Sequence, residues 1–248
     1  MSRSHKLIQQ ELHIFYAPEM KPPLVLLSEE ESAHCIRVLR LTTGSEVLLV
    51  NGQGLAYKAV ITDPHPKRCL VTTTEPYPFG TRFNYSLCVA IAPTKNLDRF
   101  EWFLEKATEI GVSRIVPLLC DRSERKSIPQ ERLSRLLVAG MKQSQKSFLP
   151  RLDSLCPFDL FMKEAVTGVK TVAHLGNGTR KPLWDFFRCS EPITVLIGPE
   201  GDFSEREVLL AIEQGYQPIT LGLSRLRTET AGIVVCQSIS LLSQMEPL

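Results

Sequence analysis

The chain has 248 residues, of which 43% are hydrophobic and 23% charged, and its formal net charge is +2. That composition is ordinary for a folded protein, excludes extended disorder, and at about 150 residues per domain allows one or two domains. A charge so near balance excludes global basicity as a nucleic-acid signal, so any such signal must come from local clusters.

Seven cysteines are scattered along the chain, no two in the spacing of a zinc knuckle or redox pair, and five histidines do not complete a metal set. They read as buried free thiols in a reducing cytoplasm, with no metal expected. No apolar run reaches the ~20 residues needed to span a bilayer, so no membrane contact is expected. The opening MSRSHKLIQQ lacks the apolar core of a signal peptide and reads as an appended or frayed extension.

In chain order, LHIFYA (residues 12–17) reads as a strand closed by Pro18. Ser28 with Glu31 forms a capping box ahead of AHCIRVLR, predicting a short helix. EVLLV (46–50), NGQG and LAYKAVIT (55–62) predict a hairpin, with Asn51-Gly52 supplying a turn of positive φ. RCLVTTTE (68–75) is a further strand, and Pro76, Pro78 and Gly80 punctuate a linker. The organisation expected is a small β-rich domain over residues 1–78 and a larger domain over 79–248.

The second part alternates strand and helix. SLCVAIA (86–92) reads as a buried strand. Leu97, Phe100, Phe103, Leu104, Ala107 and Ile110 then share one helical face, which Gly111 terminates. RIVPLLC, a helix across Gln130 to Lys146, TVAHLG, ITVLIG, a helix from Ser204, and QPITLGL continue the pattern. Apolar strands between amphipathic helices predict an α/β fold with a mostly parallel sheet covered on both faces.

Three loops follow strands in this sheet, the position where open α/β sheets bind ligands. One is HLGNGTRKP (174–182), whose His174 reads as a packed histidine rather than a base. The second is Gly198-Pro199-Glu200-Gly201, ahead of a capping box at Ser204 and Glu207. The third is Ser224 to Ala231, where Thr228 or Thr230 can cap the next helix but capping leaves Arg225, Arg227 and Glu229 unexplained. No GxxxxGK[ST] and no complete dinucleotide fingerprint is present. Between Asp121 and Arg151 eight basic residues, among them Arg122, Arg125, Arg132, Arg135, Lys142 and Lys146, face three acidic ones. On a helix, Arg132, Arg135, Lys142 and Lys146 fall within roughly 80°. Such a stripe reads either as a solvated face or, with Arg37 and Arg40 of the small domain, as a phosphate-tracking surface.

LIGPEGDFSEREV and LGLSRLRTETA resemble the two signature loops of the RsmE family, SPOUT-class methyltransferases that modify N3 of a uridine in 16S ribosomal RNA. HCIRVLRLTTGSEVLLVNGQG resembles that family's amino-terminal segment, TKNLDRFEWFLEKATEIGVSRIVPLLCDRSE its central segment, and KQSQKSFLPRL its RNA-facing helix end. The resemblance implies a PUA-like β-barrel domain before a trefoil-knotted SPOUT domain, which the sequence pattern does not itself reveal. It implies S-adenosylmethionine as cofactor, held by His174, Leu175 and Gly176, by Ile197, Gly198, Pro199, Glu200 and Gly201, and by Leu221, Gly222, Leu226, Arg227, Thr228 and Thr230. It also implies a cytoplasmic homodimer acting on 16S RNA or the small ribosomal subunit. Arg227 is the candidate for contacting the developing uridylate, with Glu229 or Glu200 accepting the proton or holding Arg227. The alternatives are a SPOUT-class ribose 2′-O-methyltransferase and a non-catalytic RNA-binding or ribosome-assembly protein. Where the family commonly has Glu-Gln-Ser-x-Arg, this chain has Lys142, Gln143, Ser144, Gln145 and Lys146. Lys142 reverses a charge, and Lys146 keeps one but loses the planar fork of arginine.

Overall fold

The computed structural model describes residues 12–80, 83–176, 178–189 and 191–245. The amino-terminal extension and Asn177 lie outside the described residues. The chain divides into two compact units. One holds the described residues up to Gly80 together with Gln145–Phe148, the other residues 83–144 and those from Leu149 onward.

The small unit contains β1 (His13–Tyr16), β2 (Leu24–Leu26), α1 (Glu29–Ala33), β3 (Glu46–Val50), β4 (Ala56–Asp63) and β5 (Leu70–Pro76). They form one sheet in the order β1-β3-β4-β5-β2, with β1 parallel to β3 and the other pairs antiparallel. Phe15, Val47, Leu49, Ile61 and Val71 meet in its core. Ser28 caps α1 by accepting the Glu31 N–H at 3.2 Å, and a π-helical turn, His34–Val38, follows. The β3–β4 connection covers residues 51–55, one more than the NGQG expected between the strands. Gly52 and Gly54 take positive φ, but Asn51 acts through its side chain, its Oδ1 accepting the N–H groups of Gln53 (2.8 Å) and Leu55 (3.0 Å). The Gly54 N–H donates to the Ser147 carbonyl at 2.9 Å, and the Ser147 hydroxyl donates to the Phe79 carbonyl at 2.6 Å. The Phe148 ring lies where a side chain at position 54 would stand. These contacts bring Gln145–Phe148 into the small unit.

The large unit contains β6 (Leu87–Ile91), α2 (Leu97–Ile110), β7 (Arg114–Leu119), α3 (Gln130–Gln143), β8 (Arg151–Leu152), β9 (Cys156–Pro157), α4 (Phe158–Phe161), β10 (Val169–Ala173), β11 (Lys181–Pro182), β12 (Ile193–Ile197), α5 (Glu205–Glu213), β13 (Gln217–Thr220) and α6 (Thr228–Met245). The sheet runs β11-β13-β10-β12-β6-β7-β8, with β9 also beside β7, and every pairing is parallel. Its strands alternate between two cores. Val89, Ile91, Ile193 and Val195 pack against Phe100 and Phe103 of α2, Leu133 of α3 and Val235 of α6. Ala90, Val116 and Leu196 pack on the other face against Phe158, Phe161 and Ala211. Both faces are therefore dry, as a parallel sheet requires. The expected helix through Lys146 stops at Gln143, because the Ser144 hydroxyl turns back to the Gly140 carbonyl (2.7 Å) and Gln145 adopts φ 53°. Lys146 therefore leaves the stripe that it was expected to share with Arg132, Arg135 and Lys142.

The α2–α6 contact depends on Gly232. A Cβ there would stand 2.5 Å from Cε2 and 2.7 Å from Cδ2 of Phe103. Alanine favours helices over glycine by about 1 kcal/mol, but overpacking costs about 1–3 kcal/mol. Gly232→Ala is expected to lower the urea midpoint followed by fluorescence of Trp102 and Trp184, both in this unit; a raised midpoint would show that the helices part without cost.

Candidate active site

Strands β10, β12 and β13 are neighbours, so their carboxyl ends deliver three loops to one edge of the sheet. Between them lies a cleft of about 500 Å³, a size suited to a small molecule. Ile197, Pro199, Ile219, Leu221 and Leu226 give it an apolar lining, and the backbone of the loops supplies polar groups. Gly198 is needed for the turn after β12, where a Cβ would come within 2.9 Å of the Phe203 nitrogen.

Side chains tie the loops together. The buried Thr228 donates its hydroxyl to the Gly198 carbonyl at 3.1 Å. It thus joins the third loop to the second, a contact beyond the capping role that residue type suggested. Asp202, at φ 63°, accepts the Leu175 N–H on Oδ2 (2.7 Å) and the Phe203 N–H on Oδ1 (2.9 Å), joining the second loop to the first. Aspartate is among the few residues that tolerate the left-handed region. Behind the second loop, Arg122 donates to the carbonyls of Gly201 (2.8 Å) and Phe203 (3.2 Å). Glu207, fully buried, accepts the N–H groups of Ser204 and Asp121, each at 2.8 Å, and with Ser204 completes the capping box of α5. Arg206 beside Asp121, with the Ser204 hydroxyl, holds the Asp121 carboxyl below its ordinary range.

His174 is 8% exposed, and its Nδ1 accepts the Gly176 N–H at 3.1 Å. Burial lowers its pKa, opposed by Asp202 and assisted by Arg180. It therefore stands neutral, as a packed, hydrogen-bonded histidine.

Of the residues singled out for a cofactor, His174, Leu175, Ile197, Gly198, Pro199, Glu200, Leu221, Gly222, Leu226, Arg227 and Thr228 line the cleft, while Gly176, Gly201 and Thr230 do not. Glu200 is braced from outside, its Oε1 accepting the Lys95 N–H at 2.9 Å. Glu229 is buried off the cleft on α6. Its Oε1 lies 3.9 Å from Arg99 Nε, and its Oε2 has no hydrogen bond among the described residues. No carboxylate among the described residues is within ion-pair distance of Arg227, so neither Glu200 nor Glu229 holds it.

The eight basic candidates for RNA contact separate by role. Arg122 and Arg125 serve the fold, Arg125 donating to the carbonyls of Thr94 (2.9 Å) and Lys95 (2.5 Å). Arg132 pairs with Glu101 at 2.7 Å. Arg135, Arg37 and Arg40 are exposed, Lys142 half-buried in the last turn of α3, and Lys146 half-buried in the segment that joins the small unit. Sequence reasoning passed over Asp202 and Arg180, both of which line the cleft. A charged residue one position beyond a GPEG turn, and another closing the glycine-flanked loop after β10, were the available signals.

A family model described as an RNA methyltransferase domain matches residues 81–240, and one described as an RNA methyltransferase PUA domain matches residues 27–74. The chain belongs to this RNA methyltransferase family. The Ribosomal RNA small subunit methyltransferase E of Synechocystis is 29% identical over 226 residues, covering 88% of this chain and 73% of that protein. A crystal structure described as a "probable rRNA-methyltransferase" from Porphyromonas gingivalis is 38% identical, with a TM-score of 0.87 over 94% of this chain and 99% of that one. A Legionella pneumophila protein solved in complex with the bound cofactor SAM is 26% identical, with a TM-score of 0.84 over 94% and 98%. The methyltransferase unit holds no cluster of metal-ligating side chains among the described residues, nor any helix long and apolar enough to cross a membrane.

The histidine gives a pH test. With its folded pKa below the ordinary ~6.5, His174 stays neutral in the native state while the unfolded chain takes up a proton first. Its contribution is complete above about pH 6.5 and drains as pH falls toward the folded value. His174→Gln is expected to flatten the decline of the urea midpoint between pH 7.5 and 5. An unchanged slope would place the titration elsewhere.

Proposed function

We propose that this chain is an S-adenosylmethionine-dependent methyltransferase that modifies N3 of a uridine in 16S ribosomal RNA, acting as a cytoplasmic homodimer with a trefoil-knotted catalytic domain. The observation that carries this reading is the cleft itself: three mutually bonded loops around an apolar lining, with the exposed Arg225 and Arg227 on its wall. Seven free cysteines accord with a reducing compartment. The cleft suits an adenosyl group, since apolar side chains offer faces for a flat base and fixed backbone groups offer hydrogen bonds to its edge. His174, Leu175, Ile197 to Glu200 and the backbone of Leu221 to Thr228 would hold it. When bound, the sulfonium supplies an electrophilic methyl group.

What remains for the protein is the nucleophile. Uridine N3 carries a proton, and its lone pair is delocalised into two carbonyls, so the reacting form is anionic. Arg227, on the cleft wall with no carboxylate partner among the described residues, would stabilise the negative charge on O2 and O4. Glu200 is the carboxylate of the proposed pair that lines the cleft and is the candidate proton acceptor, oriented by the Lys95 N–H. Glu229 acts through Arg99 and the first turn of α6 instead.

The test is transfer of labelled methyl from S-adenosylmethionine to small ribosomal subunits lacking the modification, followed by nucleoside mass analysis. A single 3-methyluridine product is expected, and Arg227→Ala should lower turnover by about 10²–10³-fold with cofactor affinity unchanged. Label on a ribose would move the activity to 2′-O-methylation. Absence of both label and cofactor binding would leave an RNA-binding protein, and full turnover by Arg227→Ala would remove that residue from the chemistry.

A further inference from the structure

The cleft carries a cation that this chemistry does not use. Arg180 closes the loop after β10 and immediately precedes β11, whose Lys181 pairs with Ile219 of β13, so its backbone is fixed to the sheet. Its Nη1 donates to the His174 carbonyl at 2.6 Å, which holds the guanidinium against the cleft wall that it lines. Arg225 and Arg227 are exposed, whereas Arg180 is half-buried. No carboxylate lies within ion-pair distance of it among the described residues. The acidic side chains that line the same cleft are engaged elsewhere. Asp202 directs its oxygens to Leu175 N and Phe203 N, and Glu200 directs Oε1 to Lys95 N. A guanidinium drawn partly out of water calls for an anion, and none of the described residues provides one here.

We propose that Arg180 receives the carboxylate of the amino-acid end of the cofactor, an inference that rests on the cofactor reading above. With Nη1 engaged on the His174 carbonyl, the edge bearing Nε and Nη2 remains. Its two parallel N–H groups match a carboxylate bidentately. An RNA phosphate is the other source of anionic oxygens, but a polymer backbone meets the exposed Arg225 and Arg227 first, while a wall position suits the end of a small molecule held in the cleft. The glycine-flanked loop thus has a use without the pyrophosphate-binding fingerprint that it lacks, recognising a carboxylate through the side chain that ends it.

Two ligands separate this role from a structural one. S-Adenosylhomocysteine carries the amino-acid end, and 5′-deoxy-5′-methylthioadenosine has the same adenosine thioether without it. By calorimetry the full-length protein is expected to prefer the first by tenfold or more. Arg180→Ala is expected to abolish that preference, weakening S-adenosylhomocysteine by about 10–100-fold, the range for hydrogen bonds between charged groups, and leaving methylthioadenosine unchanged. Arg180→Lys should keep part of the preference, because it retains the charge and loses the fork. Equal weakening of both ligands would show that Arg180 only supports the His174 loop and would overturn the proposal. So would a preference that survives Arg180→Ala, and if the salt dependence of RNA binding fell as well, a phosphate would be its anion. Failure of the unaltered protein to bind either ligand would instead sink the cofactor reading beneath it.

Discussion

Beyond the ends of β10, β12 and β13 the ladder among the described residues shrinks to the two-residue pairing of β11 with β13, yet three loops must hold one shape there. Each ordered loop residue costs about 1–2 kcal/mol of conformational entropy. The bonds that offset this cost run from side chain to backbone. Thr228 holds Gly198, Asp202 holds Leu175, and from behind Arg122 holds Gly201 and Phe203. Two of the three use a charged partner, and such bonds contribute about 1.5–3 kcal/mol each where neutral ones contribute about 1. Because every link crosses from one loop to another or to the strand edge beside it, none of the loops can be shaped alone. Backbone groups that face the cleft are thereby set before any ligand arrives, the condition under which fixed dipoles bind without a reorganisation cost.

The same economy accounts for the surplus of positive charge between Asp121 and Arg151. Read as a surface it suggests one continuous phosphate track, but its first two arginines donate to carbonyl oxygens of the fold and a third is paired with Glu101. A guanidinium suits that work because its five donors lie in one plane and can reach two carbonyls at once. What is left free along α3 is Arg135. At the cleft itself, Arg225 and Arg227 are exposed cations within reach of a polyanion.

Much of this fold was legible because local rules and global packing agree. The apolar face of Leu97 to Ile110, closed by Gly111, is a helix with those ends, and Ser204 with Glu207 caps α5 as the spacing implies. The loops bearing Gly198 and Arg227 were recognisable from their place after apolar strands. What could not be read depended on partners distant in sequence. Ser147 meets Phe79 and Gly54 across 68 and 93 positions, and no local pattern marks a four-residue segment as belonging to the small unit. Lys146 was lost to a hydroxyl bond at Ser144 that helical periodicity ignores. The direction of Arg122, toward a carbonyl 79 residues away, is likewise invisible to charge counting.

That redistribution of charge bears on how the proposed reaction is assisted. A base at the cleft needs an unengaged lone pair facing the substrate. His174 has Nδ1 occupied by the Gly176 N–H, and its depressed pKa makes it a weak proton acceptor. Glu229 lies off the cleft beside Arg99, and Glu200 has one oxygen on Lys95 N. Against these stand Arg225 and Arg227, both on the cleft wall and neither paired with a carboxylate among the described residues. A cavity whose cations outnumber its unengaged carboxylate oxygens lowers the energy of an anion placed within it, whichever group first takes the proton. Under the proposed function, uridine N3 would ionise more readily at this wall than in water. Catalysis would then rest on stabilising the uridylate, with the carboxylate or water that receives its proton in a secondary part.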